Sequence, residues 1–319
     1  MHVLMTGAGG FVGSHVAAAA ARQGWQLTAL YRTNAPAEQP NLTAVKVDLA
    51  DVAAVQSVVL EVFPDVVINA AAVPQGAFVD ADPELSEKLN IALPAELARL
   101  IHHLGGRLIH LSTEQVFDGQ DAPYQPTDTP MPLHLYGQQK VMAERQVLSN
   151  AKGSSVVLRL PLMTGNSPRG NRSSHEMLLR DLSEGKRNTQ WTDVIRAPAS
   201  AENVAELISE LILRPRLNGI FHWAGPEALS RAELSRRIWA HFSDESPPWD
   251  EGPCSVDRVA RDLRLASPNL RGRVKLKPEP LAEQIARLQI PADLVGNPVL
   301  ADLGVKSPGL PRLRKGIDF

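Results

Sequence analysis

Tyr136 and Lys140 stand four residues apart in the stretch LHLYGQQKVMAERQVL, a spacing that stacks two side chains on one face of a helix. A phenol with an ammonium beside it can donate a proton near neutral pH. The free phenol titrates near ~10, and a neighbouring positive charge favours the phenolate and lowers that value. On many helices the same pair is a half-exposed surface feature. Its meaning depends on what else the chain brings to it.

The N-terminus brings a turn built for phosphate. His2 to Thr6 is a short apolar run that reads as a buried strand, and it leads directly into Gly7-Ala8-Gly9-Gly10-Phe11-Val12-Gly13 and an alanine-rich helix. Strand, glycine turn and helix are the context in which such a turn binds a dinucleotide. The glycines let backbone N–H groups approach a pyrophosphate at the positive end of the helix dipole. The spacing here is G-x-x-G-x-x-G over Gly7, Gly10 and Gly13, not the G-x-G-x-x-G of the common dehydrogenase fingerprint. The second strand, Gln26 to Leu30, ends in Tyr31-Arg32, where an acid would hold a ribose 2′-hydroxyl. An arginine there accommodates a 2′-phosphate, which favours NADP with NAD as the alternative; a solvated loop charge is the other reading of Arg32.

The elements that must position these residues alternate. Strands are expected at 2–6, 26–31, 43–47, 65–69, 107–112 and 155–160, with helices at 10–23, 51–61, 82–104 and 134–150. That order specifies an α/β fold, a Rossmann-type doubly wound parallel sheet. Ligands bind such sheets beyond the carboxyl ends of the strands, where Gly7, Arg32, Asn69 and Thr113 all fall. After Pro161 the pattern loosens into helices at 173–184, 200–213, 230–242 and 281–288 and short strands near 191–195 and 219–223. The expected organisation is a cofactor domain over 1–160, with returns near 191–223, and a smaller, discontinuous substrate lobe over most of 161–319.

Composition narrows the partners. The net charge of −2 over 319 residues gives no basic excess for nucleic acid. No apolar run reaches the ~18 residues of a membrane span, and the first strand begins at once, so a soluble cytoplasmic protein without a leader is expected. Cys254 is the only cysteine, which precludes an intrachain disulfide and suits a reducing compartment. The nine histidines show no metal-ligand spacing, so no metal is expected. Arg271, Arg273, Lys275 and Lys277 form a basic cluster, read either as a solvated loop or as a contact for a nucleotide diphosphate.

The chain resembles the extended short-chain dehydrogenase/reductases, and among them the dTDP-4-dehydrorhamnose reductases and their relatives. The resemblance is carried by TGAGGFVG (6–13), VDL (47–49), NAAAV (69–73), LNIALPAELARL (89–100), LSTEQVFDG (111–119), YGQQK (136–140), LRLPLMTG (158–165) and GIFHWAGPEALSRAELSRRI (219–238). It implies a catalytic set of Thr113, Tyr136 and Lys140. Thr113 would polarise a substrate carbonyl, Tyr136 would act as general acid, and Lys140 would bond the nicotinamide ribose while lowering the phenol's pKa. The cofactor would meet Gly7, Gly10, Phe11, Val12, Gly13, Arg32 and Ser112, with Asp48 and Leu49 beside the adenine. Asn69, Ala70 and Ala71 would line its path, and Asn90 would support the proton relay. Taken singly, Asp48 reads equally as a helix cap, Asn69 as a turn residue and Asn90 as a polar group on a helix surface.

The departures from that pattern limit the substrate. In the rhamnose-pathway reductases the serine–threonine pair is followed by Asp-Tyr; here it is followed by Glu114-Gln115. Related dehydratases use an acid/base pair at these positions, and Gln115 has no titratable proton to serve as base. Leu162 stands where the reductases carry a tryptophan, so two aromatic substrate contacts are missing. The segment from Pro291 to Phe319, with Arg312, Arg314 and Lys315, matches nothing in the family and reads as a solvated basic end. The resulting expectation is an NADPH-dependent reductase of a 4-keto sugar nucleotide, with a homodimer as an open option. The rivals are an NAD-dependent epimerase, and a regulatory subunit resembling the β subunits of methionine adenosyltransferase.

Overall fold

The computed structural model describes residues 1–74 and 77–306. Seven parallel strands form one sheet. They are β1 (His2–Thr6), β2 (Gln26–Tyr31), β3 (Leu42–Lys46), β4 (Val66–Asn69), β5 (Arg107–Thr113), β6 (Ser155–Leu160) and a seventh, Gly219–His222. Their spatial order is β3-β2-β1-β4-β5-β6 followed by the seventh strand. The direction of winding reverses between β1 and β4, and a crevice opens at such a reversal.

Strand alternation builds two cores. Val3 and Met5 of β1, Ile68 of β4, and Val156 and Leu158 of β6 point to one face, against Val16, Ala17 and Ala20 of α1 (Phe11–Arg22). Leu4, Val67, Leu108 and Val157, one residue out of phase, point to the other. There they meet α2 (Val52–Val62), α5 (Leu93–His103) and α6 (Leu135–Asn150). Two short helices, α3 (Ala77–Ala81) and α4 (Pro83–Glu87), lead into α5. The first core is completed from far along the chain by Val204, Leu207, Ile208 and Leu211 of a later helix, Ala201–Ile212. Arg107 of β5 fastens that helix by donating to the carbonyls of Leu211, Arg214 and Leu217.

A third core gathers Leu178, Leu179 and Leu182 of α7 (Ser174–Ser183) with Leu234, Ile238, Trp239 and Phe242 from Arg231–Phe242. Numbering onward, Ala201–Ile212 is α8, Arg231–Phe242 α9, Leu281–Ile285 α10 and Pro298–Asp302 α11. Leu294 and Leu300 are buried in this third core. The expectation of a solvated end from Pro291 is therefore corrected up to Lys306, because those leucines pack. Arg312, Arg314 and Lys315 lie outside the described residues.

Two elements differ from expectation. The single helix anticipated over 82–104 is interrupted by a π turn at Lys88–Ala92, in which the Leu93 N–H reaches Lys88 O. Pro94 has no N–H to give the carbonyl of Asn90, so the regular ladder cannot run through. The strand anticipated at 191–195 is two pairs instead: Gln190–Trp191 with Glu251–Gly252, and Ile195–Arg196 with Leu229–Ser230.

Candidate functional site

The glycine turn closes as its sequence requires. Gly7 has a φ of +74°, which favours glycine, and the Gly10 N–H bonds Gly7 O at 2.9 Å. A side chain at Gly13 would place Cβ 2.0 Å from Gly7 O, and one at Gly7 would stand 2.7 Å from the Ala70 backbone. These glycines let α1 sit directly on β1 and β4. Gly10 caps α1 without any side-chain hydrogen bond, leaving the first N–H groups of a twelve-residue helix for an external acceptor.

That helix end opens into a cavity of about 740 Å³. Gly7, Gly9, Gly10, Phe11, Val12 and Gly13 form one wall, and Leu49, Ala70 and Ala71 continue it along the strand ends. Ser112, Thr113, Tyr136 and Lys140 line the same cavity, so the two halves of the expected site share one space. The dinucleotide fits this donor set: unfilled helix N–H groups at one end, hydroxyl and ammonium donors at the other, and a backbone turn with no side chains in the way.

Phase explains how β5 and α6 meet. His110 and Ser112 lie on one face of the strand, two apart, and Lys140 and Glu144 on one face of the helix, four apart. Lys140 Nζ donates to Leu111 O at 2.7 Å and lies 3.0 Å from His110 Nε2. Ser112 Oγ donates to Glu144 Oε1 at 2.5 Å, and Arg159 of β6 completes a buried ion pair with Glu144 at 2.7 Å. His134 caps α6 by accepting from the Gly137 N–H at 3.1 Å, which fixes the turn that carries Tyr136. Thr113 Oγ1 accepts from the Gln115 N–H at 3.2 Å and keeps its own proton to donate.

The electrostatics differ from the expected acidified phenol. Burial pushes Tyr136 up to about 12, and the cation that opposes this is Arg172, not Lys140. The Lys140 charge instead is spent on His110 and the Leu111 carbonyl. Its own value falls to about 8 because it is buried, although Glu144 favours the charged form. Tyr136 is thus protonated at neutral pH and Lys140 is still mostly an ammonium.

Other expected residues fall elsewhere. Asn69 is 1 % exposed, with its amide against Thr6 and His110, so it does not line the cavity as expected. The strand's last residue points inward by alternation, and Ala70 and Ala71 take the cofactor side. Asn90 holds Val73 N–H and O and reaches Gln139, the neighbour of Lys140, at 2.8 Å. Arg32 is exposed past β2, and Asn34 is the residue of that loop lining the cavity. Asp48 accepts from Ala50 N–H, while Asp51 caps α2. The basic cluster lies against α8, where Glu210 accepts from the Lys275 and Leu276 N–H groups; none of its four cations lines the cavity.

The sequence reading missed Ser167, Pro168, Arg169, Asn171 and Arg172, which close the cavity from the segment before α7. No local pattern marks them, because only the returning lobe brings them to the strand ends. Leu162 lines the cavity as well. Glu114 lies behind Thr113, 3.0 Å from Arg196, and its burial pushes it up to about 7. Among the described residues no cluster of three metal-ligating side chains occurs, and no helix is long and apolar enough to cross a membrane.

Comparison with known proteins adds relatives to this geometry. The model of the family described as RmlD substrate binding domain matches residues 1–264. Methionine adenosyltransferase 2 subunit beta of Xenopus laevis is 31% identical over 237 residues, 73% of this chain and 69% of that protein. The dTDP-4-dehydrorhamnose reductase of Mycobacterium tuberculosis (strain CDC 1551 / Oshkosh) is 30% identical over 243 residues, 74% of each. The crystal structure of dTDP-4-dehydrorhamnose reductase from Bacillus anthracis in complex with NADP superposes with a TM-score of 0.73 at 19% identity, covering 89% of this chain and 95% of that one.

Proposed function

The chain belongs to the RmlD substrate-binding-domain family, and from that premise we propose that it is an NADPH-dependent reductase of a 4-keto sugar nucleotide. The observation that carries the reading is the single cavity shared by the glycine turn, Thr113, Tyr136 and Lys140. The M. tuberculosis relative is named for reduction of such a sugar, and the B. anthracis neighbour holds NADP.

When bound, NADPH supplies a hydride for the carbonyl carbon. The residues of the chain do the rest. The α1 N-terminus and the bare glycine backbone hold the pyrophosphate. Lys140, with one of its three protons uncommitted, bonds a ribose hydroxyl. Thr113 donates to the carbonyl oxygen, where negative charge develops. Tyr136 delivers the proton to that oxygen. Its raised pKa keeps the donor form populated throughout the neutral range, and Arg172 eases the phenolate it leaves behind. Leu162, which lines the cavity in place of an aromatic group, leaves room for a sugar other than dTDP-4-dehydrorhamnose.

The test is NADPH consumption over a panel of 4-keto sugar nucleotides. Turnover is expected with at least one, falling by roughly 10²–10⁴ in Tyr136→Phe while NADPH affinity stays near that of the parent. A Phe variant as fast as the parent removes Tyr136 from the acid role. A second reading has its own support, since the Xenopus relative is a subunit of methionine adenosyltransferase 2. On that reading the chain serves a catalytic partner, and it predicts no turnover across the panel together with a complex that forms with an adenosyltransferase catalytic subunit.

A further inference from the structure

Glu176, in the first turn of α7, is 1 % exposed, and four donors converge on its carboxylate. Ser167 N–H donates to Oε1 at 2.6 Å. Oε2 accepts from Ser167 Oγ at 2.6 Å, from Arg172 N–H at 2.7 Å and from Ser173 N–H at 2.9 Å. A carboxylate at this place in a helix commonly reaches back to the backbone N–H of the capping residue. Ser173 N–H satisfies that role alone. The other three donors belong to the segment before the helix, and a cap does not need them.

The same segment is pinned from other sides. Ser167 Oγ accepts from Asn171 N–H at 3.1 Å, and Arg180, one turn beyond Glu176, donates to Gly170 O at 2.7 Å. Asp293 holds Arg180 in turn, and a Cβ on Gly170 would stand 2.6 Å from Pro291 Cβ. Residues 167–173 are thus a braced shelf, and what the shelf carries is charge. Arg169 and Arg172 line the cavity. Together with Lys140 they are, among the described residues, its only charged side chains, and no carboxylate stands in the wall. Arg172 is also the cation that acts on the Tyr136 phenol, so this charge lies at the reacting end of the cavity.

We propose that Glu176 is a positioning residue: it holds residues 167–173 in the shape that keeps Arg169 and Arg172 in the cavity wall, where they receive a phosphate group of the substrate. What enters the cavity rests on the reductase reading. A wall with three cations and no acid is matched by an anion, and the planar fork of arginine pairs with phosphate oxygens. On a loose loop both long side chains would be free in solvent, and ordering backbone and side chains together would weaken binding. Here the backbone is ordered beforehand. The arrangement is mutual, because a carboxylate buried to this depth is tolerable only when its lone pairs are filled.

The probe is inorganic pyrophosphate, titrated by calorimetry into the intact protein saturated with NADP, so that the phosphate sites of the cofactor are already occupied. The parent should bind it, and the double variant Arg169→Met/Arg172→Met should bind it roughly tenfold more weakly or worse. Glu176→Gln sets an amide N–H₂ among donors and should weaken pyrophosphate by roughly fivefold with NADPH affinity unchanged. Ser167→Ala removes one donor and leaves the Ser173 cap in place; it should act in the same direction by roughly twofold, and it replaces Glu176→Gln if that variant does not fold. With the keto sugar nucleotide that the parent turns over, these single variants should raise KM more than they lower kcat. Both should add almost nothing to KM in the background lacking the two arginines, because they act through them. A Glu176→Gln effect of equal size in both backgrounds reduces the residue to a helix cap and overturns the positioning role. Pyrophosphate held equally well without the arginines, or excluded by NADP, overturns the substrate subsite. If NADP does not bind or no sugar nucleotide is reduced, the reductase reading falls; pyrophosphate titrated into the free parent, the arginine variant and Glu176→Gln then still decides whether the shelf exists and what holds it.

Discussion

At the scale of single residues, the unusual feature is a lysine 2 % exposed whose charge is held by one ring nitrogen and one carbonyl. Folding lowers its pKa from 10.5 to about 8, so the folded chain carries a buried charge at pH 7 at a cost in stability. Between about 8 and 10.5 the unfolded chain binds more protons, and stability rises with pH through that window. In Lys140→Met that group is absent, and its part of the rise is lost. Urea unfolding of the two proteins across this range should show the parent gaining about 3 kcal/mol relative to the variant, whatever constant offset separates them at neutral pH. A constant difference would mean that Lys140 titrates as an exposed amine. The pairing of Tyr136 with Lys140 was legible in their spacing, but its electrostatic sense was not. The cation acting on the phenol is Arg172, thirty-six residues on and brought near by the fold, and burial reverses the expected direction. His110 could have been noticed as a polar residue centred in the apolar run of β5, in phase with Lys140.

At the scale of elements, α6 and the turn after β5 must sit at one separation for Thr113 and Tyr136 to share a carbonyl oxygen. Gly137 sets that separation. A Cβ there would lie 2.4 Å from Gln115 O and 2.7 Å from Pro132 Cβ, both parts of loops with little room to yield. Gly137→Ala should push the helix off the 114–116 turn at a stability cost of roughly 1–3 kcal/mol. It should lower kcat far more than it weakens NADPH binding, because the α1 end of the cavity is untouched. Steady-state kinetics and NADPH titration check the split; equal losses in both would place the damage elsewhere. The elements themselves were largely readable. Glycine turn, alternation and capping residues give β1, α1, β2, β4, β5, α6 and β6 within a residue or two. The π turn at Lys88–Ala92 was missed because its cause, Pro94, sits one turn downstream inside a sequence of otherwise good helix formers.

At the scale of the molecule, the described part of the segment expected to be a solvated end, Pro291 to Lys306, proves to be packing material. Leu294 and Leu300 sit in the core shared by α7, α9 and α10, and Arg180 of α7 holds Asp293 through two 2.8 Å bonds. A chain ending at Ile290 should lose roughly 3–6 kcal/mol from the two buried leucines alone, read as a lower urea midpoint. An unchanged midpoint would show that the lobe does not depend on this segment. Leu294, Val295, Val299, Leu300, Leu303 and Val305 are apolar residues broken up by Gly296, Asn297, Pro298 and Gly304, so no sustained helix or strand period marks them as core. Leu294 and Leu300 are buried only because α7, α9 and α10 already form a concave face.

The sheet is finished late. The outer edge of β6 is covered by Gly219–His222 through the register Val156 to Arg159, and the first core is filled by α8, which also lies beyond residue 200. Until the residues near 219 arrive, the β6 edge, rich in valine and leucine, has no partner strand. Such a flank is a template for pairing with a neighbouring chain. Recovery of natively assembled protein at high expression should accordingly be governed by how quickly that last ribbon is delivered, and slowing translation just upstream of it should raise the insoluble fraction.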